Sequence, residues 1–177
     1  YTFSAAAIDA LTILNSSTGS TELTVIATDA AGNTTTTKAW PKIDTAAPSA
    51  PTITSVTDDL APTTGTLISG GFTNDATPTI RVSLTSTNVV VGDSVQIYNG
   101  TTVLGTATTL TSTNITNGYV DITTSALSQG TYAFNAKVIN IAGNVSNASS
   151  SFTTTLDTTA PTLVTTSYTV QENPTAV

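Results

Sequence analysis

The chain has no cysteine and no histidine. Without cysteine there are neither disulfides nor thiolate metal sites. Without histidine there is no imidazole base or ligand, and every Ser-His-Asp or Cys-His catalytic arrangement is excluded. Charge is also scarce, at 8% of residues, against about 25% in an ordinary globular domain. The four basic residues, Lys38, Lys42, Arg81 and Lys137, are scattered, and the net charge is −7. Binding a nucleic-acid backbone needs a basic stripe, so nucleic acid is excluded as a partner. No apolar run approaches the length of a membrane span, and the start at Tyr1 carries no signal peptide. The expectation is a soluble segment without membrane contact of its own, any export signal or anchor lying outside this stretch.

Thr, Ser, Asn and Ala fill the space left by charge. They suit solvent-facing strand positions and turns, and they disfavour long helices. The chain also repeats itself. "ATDAAGNTTTTKAWPKIDTAAPSAPTI" and "VINIAGNVSNASSSFTTTLDTTAPTLV" pair Gly32-Asn33 with Gly143-Asn144, Asp44-Thr45 with Asp157-Thr158, and Pro48 with Pro161. A period of about 110 residues is too long for a helical solenoid and matches a seven-stranded sandwich of about 100 residues. Residues 44–157 are then one complete unit, 1–43 the closing part of a preceding unit and 158–177 the start of a third.

Strand signals fill the complete unit. "PTITSV" carries Ile53 and Val56, and "TIRVSL" puts Ile80, Val82 and Leu84 on one face with Arg81 and Ser83 on the other. "SVQIYNGTTVLGT" is two β-rich runs around Asn99-Gly100, a strong hairpin signal. "YVDITT", "GTYAFNAKVIN" and "SSFTTTL" follow, with Tyr132, Phe134, Ala136 and Val138 on one face and Lys137 pointing outward. Seven strands and the turns between them predict an all-β, antiparallel sandwich of immunoglobulin type, with Tyr98, Tyr119, Tyr132 and Phe134 in the core or in cross-strand pairs. Trp40 is expected to pack at a strand end.

The succession "TNDATPTI", "VQIYNGTTVLGTA", "SQGTYAFNAKVINIAGNVSNAS" and "DTTAP" resembles the bacterial Ig-like repeats of large surface adhesins, of the biofilm-associated and type I-secreted non-fimbrial kinds. The resemblance covers 44–157, much of the first fragment and the first residues of the third. It implies tandem sandwich modules in an elongated rod outside the cell, with calcium stiffening the joints. Two positions depart from the family pattern. The Asp usual before AGN is Asn140 in the complete unit, whereas the first fragment keeps Asp29, and a common Gly-Asn-Trp stretch reads "TNGYVDITT".

The nine Asp and two Glu are too few to be scattered idly. In a sandwich of this type the first strand ends at the C-terminal pole. The following loop, with Asp58, Asp59 and Asp75, and the exit of the last strand, with Asp157, then meet there. Crowded carboxylates repel, and a hard cation with about six to eight oxygen ligands relieves them; calcium is the expected ion. The opposite pole is expected to hold Asp44, Asp93, Asn140 and Asn144, with Asp44 and Asn140 as further candidate ligands. A simpler role competes with this one, because an Asp in a turn commonly bonds its own backbone.

These observations predict a non-enzymatic stalk segment of a bacterial surface adhesin, extracellular and on the cell surface, supporting cell adhesion and biofilm formation. Its partners would be the adjacent repeats of its own chain. Two other readings stay open: a subunit of a surface layer or filament completed by strands of neighbouring copies, and an accessory module of a secreted polysaccharide-degrading enzyme. Catalysis by the chain itself is the weakest reading, since its acids lie at poles and not across a cleft.

Overall fold

A computed structural model describes residues 23–28, 31–39 and 44–163. Asp29 and Trp40 lie outside the described residues, as do most of the segment before 44 and all of 164–177. The first described element is a hairpin of β1 (Leu23–Thr28) and β2 (Thr34–Ala39), paired antiparallel from Thr28↔Thr34 to Leu23↔Ala39. The repeat alignment sets Leu23 level with Phe134 and Ala39 level with Phe152. Phe134 and Phe152 are also partners in the later unit, so the pairing register recurs with the sequence.

The later unit contains β3 (Thr52–Asp58), β4 (Gly65–Thr66), β5 (Gly71–Thr73), β6 (Thr79–Ser83), β7 (Ser94–Asn99), β8 (Thr102–Thr109), α1 (Ser112–Asn117), β9 (Tyr119–Thr123), β10 (Gly130–Ile139) and β11 (Phe152–Leu156). Its strands form a four-stranded sheet, β4-β3-β6-β9, and a five-stranded sheet, β5-β11-β10-β7-β8. Val56, Ile80, Val82, Leu84 and Val120 face Val95, Ile97, Phe134, Ala136 and Val138, and all are buried. The inner faces follow from two-residue alternation, with one exception. Ile53 and Val56 are three apart and would point to opposite faces of a regular strand. A register shift between Ile53 and Ser55 lets both meet the core.

Three features depart from the expected seven antiparallel strands. The stretch after β3 contributes two further short strands, and β5 crosses to the other sheet, where it runs parallel to β11 (Gly71↔Thr154 to Thr73↔Leu156). The crossing turns tightly at Gly71, whose N–H donates to the Ile68 carbonyl at 2.8 Å. A Cβ on Gly71 would stand 2.8 Å from that same oxygen, so only glycine fits. Finally, α1 joins β8 to β9. Thr111 and Asn114 form a reciprocal capping box, and Gly118, at φ 74°, ends the helix.

In the β7–β8 hairpin Asn99 is the last paired residue, opposite Thr102, and Gly100-Thr101 make the turn. The Asn99 Oδ1 accepts the Ala133 N–H at 2.9 Å. Farther along, β8 bulges between its pairings to Val95 and Ile97, and the Gln96 amide donates to the Ile97 and Leu104 carbonyls. Tyr132 stacks on Phe134 with centroids 5.7 Å apart, and its hydroxyl donates to the Ser128 carbonyl. That bond to backbone four residues upstream is the tyrosine corner of immunoglobulin-type sandwiches. Lys137 points outward over the Tyr98 ring, and the Arg81 guanidinium lies 3.9 Å from the Tyr119 centroid. Among the described residues no helix is long and apolar enough to cross a membrane.

Candidate functional site

β3 ends with Asp58 at the same end of the sandwich where the parallel strands β5 and β11 end, so the chain delivers Asp58, Asp75 and Asp157 to one pole. Thr73 ties them together. Its hydroxyl donates to Asp58 Oδ2 at 2.6 Å and accepts the Asp75 N–H at 3.0 Å, while its carbonyl accepts the Asp157 N–H at 2.9 Å. Asp58 and Asp75 are buried, at 3% and 2% exposure. Burying a carboxylate is costly unless its oxygens are hydrogen-bonded, and here all four are. Asp58 Oδ1 accepts from Leu60 N–H, Asp75 Oδ1 from the Thr77 N–H and hydroxyl, and Asp75 Oδ2 from Asp59 N–H. Asp157 Oδ1 accepts from Thr159 N–H and from the Gln129 amide. Among the described residues the Asp59 carboxylate and Asp157 Oδ2 have no hydrogen-bond partner.

β10 leaves this pole and ends at the other, where Asn140 follows it. Asp44 lies there, its Oδ1 accepting the Ala46 N–H at 2.9 Å and its Oδ2 the Asn140 amide at 3.1 Å. The same Asn140 nitrogen donates to the Ala46 carbonyl, and its Oδ1 accepts the Asn144 N–H. The Asn144 side chain donates to the Asp44 carbonyl. Asp93 is 2% exposed and accepts from Val90 N–H and Ile141 N–H, one on each oxygen.

The expected grouping of residues at each pole is therefore present, and the roles of the acids are distinct. Asp44, Asp58, Asp75 and Asp157 each accept the N–H two residues ahead, the Asx-turn that competes with ion binding. Among the described residues no group of three Asp or Glu side chains is placed to hold a metal ion. Calcium takes about six to eight oxygens at roughly 2.3–2.6 Å. At the Asp157 pole Asp58 and Asp75 are occupied in holding the loop, and the Asp59 carboxylate and Asp157 Oδ2 are the oxygens left open. At the Asp44 pole every carboxylate oxygen of Asp44 and Asp93 already faces an N–H. Sequence reasoning missed Thr73 and Gln129; the only signal for Thr73 was its place two residues before Asp75.

Both poles are concave. Clefts of 690 and 640 Å³ open at the Asp157 and Asp44 ends. Either is far larger than one ion needs, and the exiting segment Thr158–Pro161 lines the first while Ala46–Pro48 lines the second.

No curated protein matches this sequence. A family model described as the bacterial Ig-like domain matches residues 50–158, a span that runs from the start of the sandwich to just past Asp157. Two facing sheets, a tyrosine corner and that match place the chain in the bacterial Ig-like domain family.

Proposed function

We propose that the chain is a non-catalytic stalk segment of a bacterial cell-surface adhesin, a spacer that carries a distal binding tip away from the cell and so supports adhesion and biofilm formation. Membership of the bacterial Ig-like family suggests a surface-protein module. One observation carries the finer reading. The repeated Asp-Thr linkers are fastened at opposite ends of the sandwich, Asp44 to Asn140 and Asn144, and Asp157 to Thr73 and Gln129. A chain that enters at one end and leaves at the other strings its modules head to tail. The low charge and the Thr-rich outer faces suit a passive extracellular rod.

At the exit, Asp59 and Asp157 would hold a structural calcium ion, with backbone carbonyls, water and the next repeat completing its shell. The ion would neutralise the open carboxylates and fix the angle to the following module. Calcium should then raise the melting temperature of the chain extended by its next repeat. At a hundredfold over the dissociation constant, binding adds about 2.7 kcal/mol to the folded state. Asp59→Asn and Asp157→Asn together should abolish the rise and leave the sandwich folded. Small-angle scattering should show an extended pair of modules with calcium and a broader distance distribution in chelator. An identical scattering profile in both conditions, for protein verified metal-free, would remove calcium from the reading and leave packing and proline as the stiffening elements.

A further inference from the structure

We infer that Asn140 closes the Asp44 joint without a cation, its amide nitrogen occupying the point on which oxygen ligands would otherwise converge. The side chain's orientation is fixed from both sides. Its Oδ1 receives the Asn144 backbone N–H at 2.8 Å, a group that can only donate. Its nitrogen faces Asp44 Oδ2 and the Ala46 carbonyl, both at 3.1 Å, groups that can only accept. Turning the amide over would oppose donor to donor and acceptor to acceptor.

An aspartate in this position would keep the bond from Asn144 N–H. Its second oxygen would then stand against a carboxylate and a carbonyl at the distances where the amide now donates. Three oxygens facing one another repel in the absence of a cation and form part of a hard-cation shell in its presence. The first repeat carries that aspartate, Asp29, in front of its own AGN. The two repeats thus differ in sequence at this position, a carboxylate in the first and an amide in the second. This inference rests on the reading of the Asp-Thr stretch at Asp44 as a linker between repeats. It commits the link to a cation-independent closure, unlike the exit at Asp157.

The test uses the full chain with Asn140→Asp, Asn140→Ala, and the exchange Asp44→Asn/Asn140→Asp, all in an Asp59→Asn/Asp157→Asn background that silences the exit pole. In the parent, the Asn140 side-chain amide resonances should be shifted and protected in chelator and should stay in place when millimolar calcium is added. Asn140→Asp should melt below Asn140→Ala in chelator, by roughly 4 °C, and rise above it in calcium. The exchange sets an amide on residue 44 against the carboxylate on residue 140 but leaves that carboxylate facing the Ala46 carbonyl, so in chelator it should melt between Asn140→Asp and the parent, and it should respond to calcium less than Asn140→Asp does. Movement of the parent's Asn140 or Asn144 signals on adding calcium would overturn the inference, as would an Asn140→Asp chain that matches Asn140→Ala with and without calcium. Neither outcome bears on the exit pole, where calcium is tested with Asp59 and Asp157 intact.

Discussion

Two buried threonines should respond to the same substitution with opposite signs. Thr73 is 5% exposed, and its hydroxyl links Asp58 to the Asp75 N–H. Valine has nearly the same shape and β-branching, so Thr73→Val removes the hydroxyl and little else. It takes a hydrogen bond to a carboxylate, about 1.5–3 kcal/mol, and strands a buried N–H, at about 1–3 kcal/mol. A net loss near 3 kcal/mol is a large share of the roughly 5–15 kcal/mol that holds a domain folded. At about 4 °C per kcal/mol, the melting temperature should fall by roughly 12 °C. Thr124 is also buried, but its hydroxyl has no partner. Its structural bond is the backbone N–H to the Pro78 carbonyl, which valine keeps. Thr124→Val removes an uncompensated polar group and should gain about 1 kcal/mol. Thermal unfolding followed by circular dichroism reads both. Shifts of the same sign, or a Thr73→Val loss smaller than the Thr124→Val gain, would refute the assignment of the pole's cohesion to Thr73.

On the outer face, Arg81 binds Asp121 through two bonds of 2.7 Å. The hydrogen bond and positive charge of Arg81 hold the Asp121 carboxyl below its usual range, against a smaller opposing effect of burial. Because the folded-state value is lowered, the stabilisation is complete above the ordinary carboxylate pKa of 3.8 and is lost as pH falls through the folded-state value. Asp121→Asn should therefore cost a little at neutral pH, the pair being well exposed, and progressively less as the pH falls below 3.8; a difference that widens on acidification would contradict this. In the core, Phe134→Ala should cost about 3–5 kcal/mol, seen as a lower urea midpoint at unchanged slope. An unmoved midpoint would mean that Phe134 does not anchor the two sheets.

Most of the sandwich was legible because its strands alternate. Ile80, Val82 and Leu84, and Phe134, Ala136 and Val138, announce their inner faces at the two-residue period, and the structure buries all six. The segment between β3 and β6 was not legible. β4 and β5 have two and three residues, too few to show a period, and the parallel pairing of β5 with β11 comes from long-range closure. The helix was missed for a similar reason. Its boundaries are marked by Thr111, Asn114 and Gly118, but asparagine replaces the usual Glu or Gln of the capping box, and no buried stripe runs along it. At the poles, topology was enough to group the acids. It could not say which oxygens were already engaged, because that depends on N–H groups one or two residues away, as at Asp58 and Asp75, or on a hydroxyl from another strand, as at Thr73.

The parallel pairing of β5 and β11 has a mechanical meaning. Tension on the chain enters beside Asp44 and leaves beyond Asp157, so it pulls along the strands. β11 is clasped on both sides, by β10 and by β5. Its hydrogen bonds lie crosswise to the pull, so they are strained together instead of being peeled off in turn. A hairpin opened from its tip gives way one rung at a time. Under such a pull β11, the last strand before the exit, would have to slide past two neighbours at once.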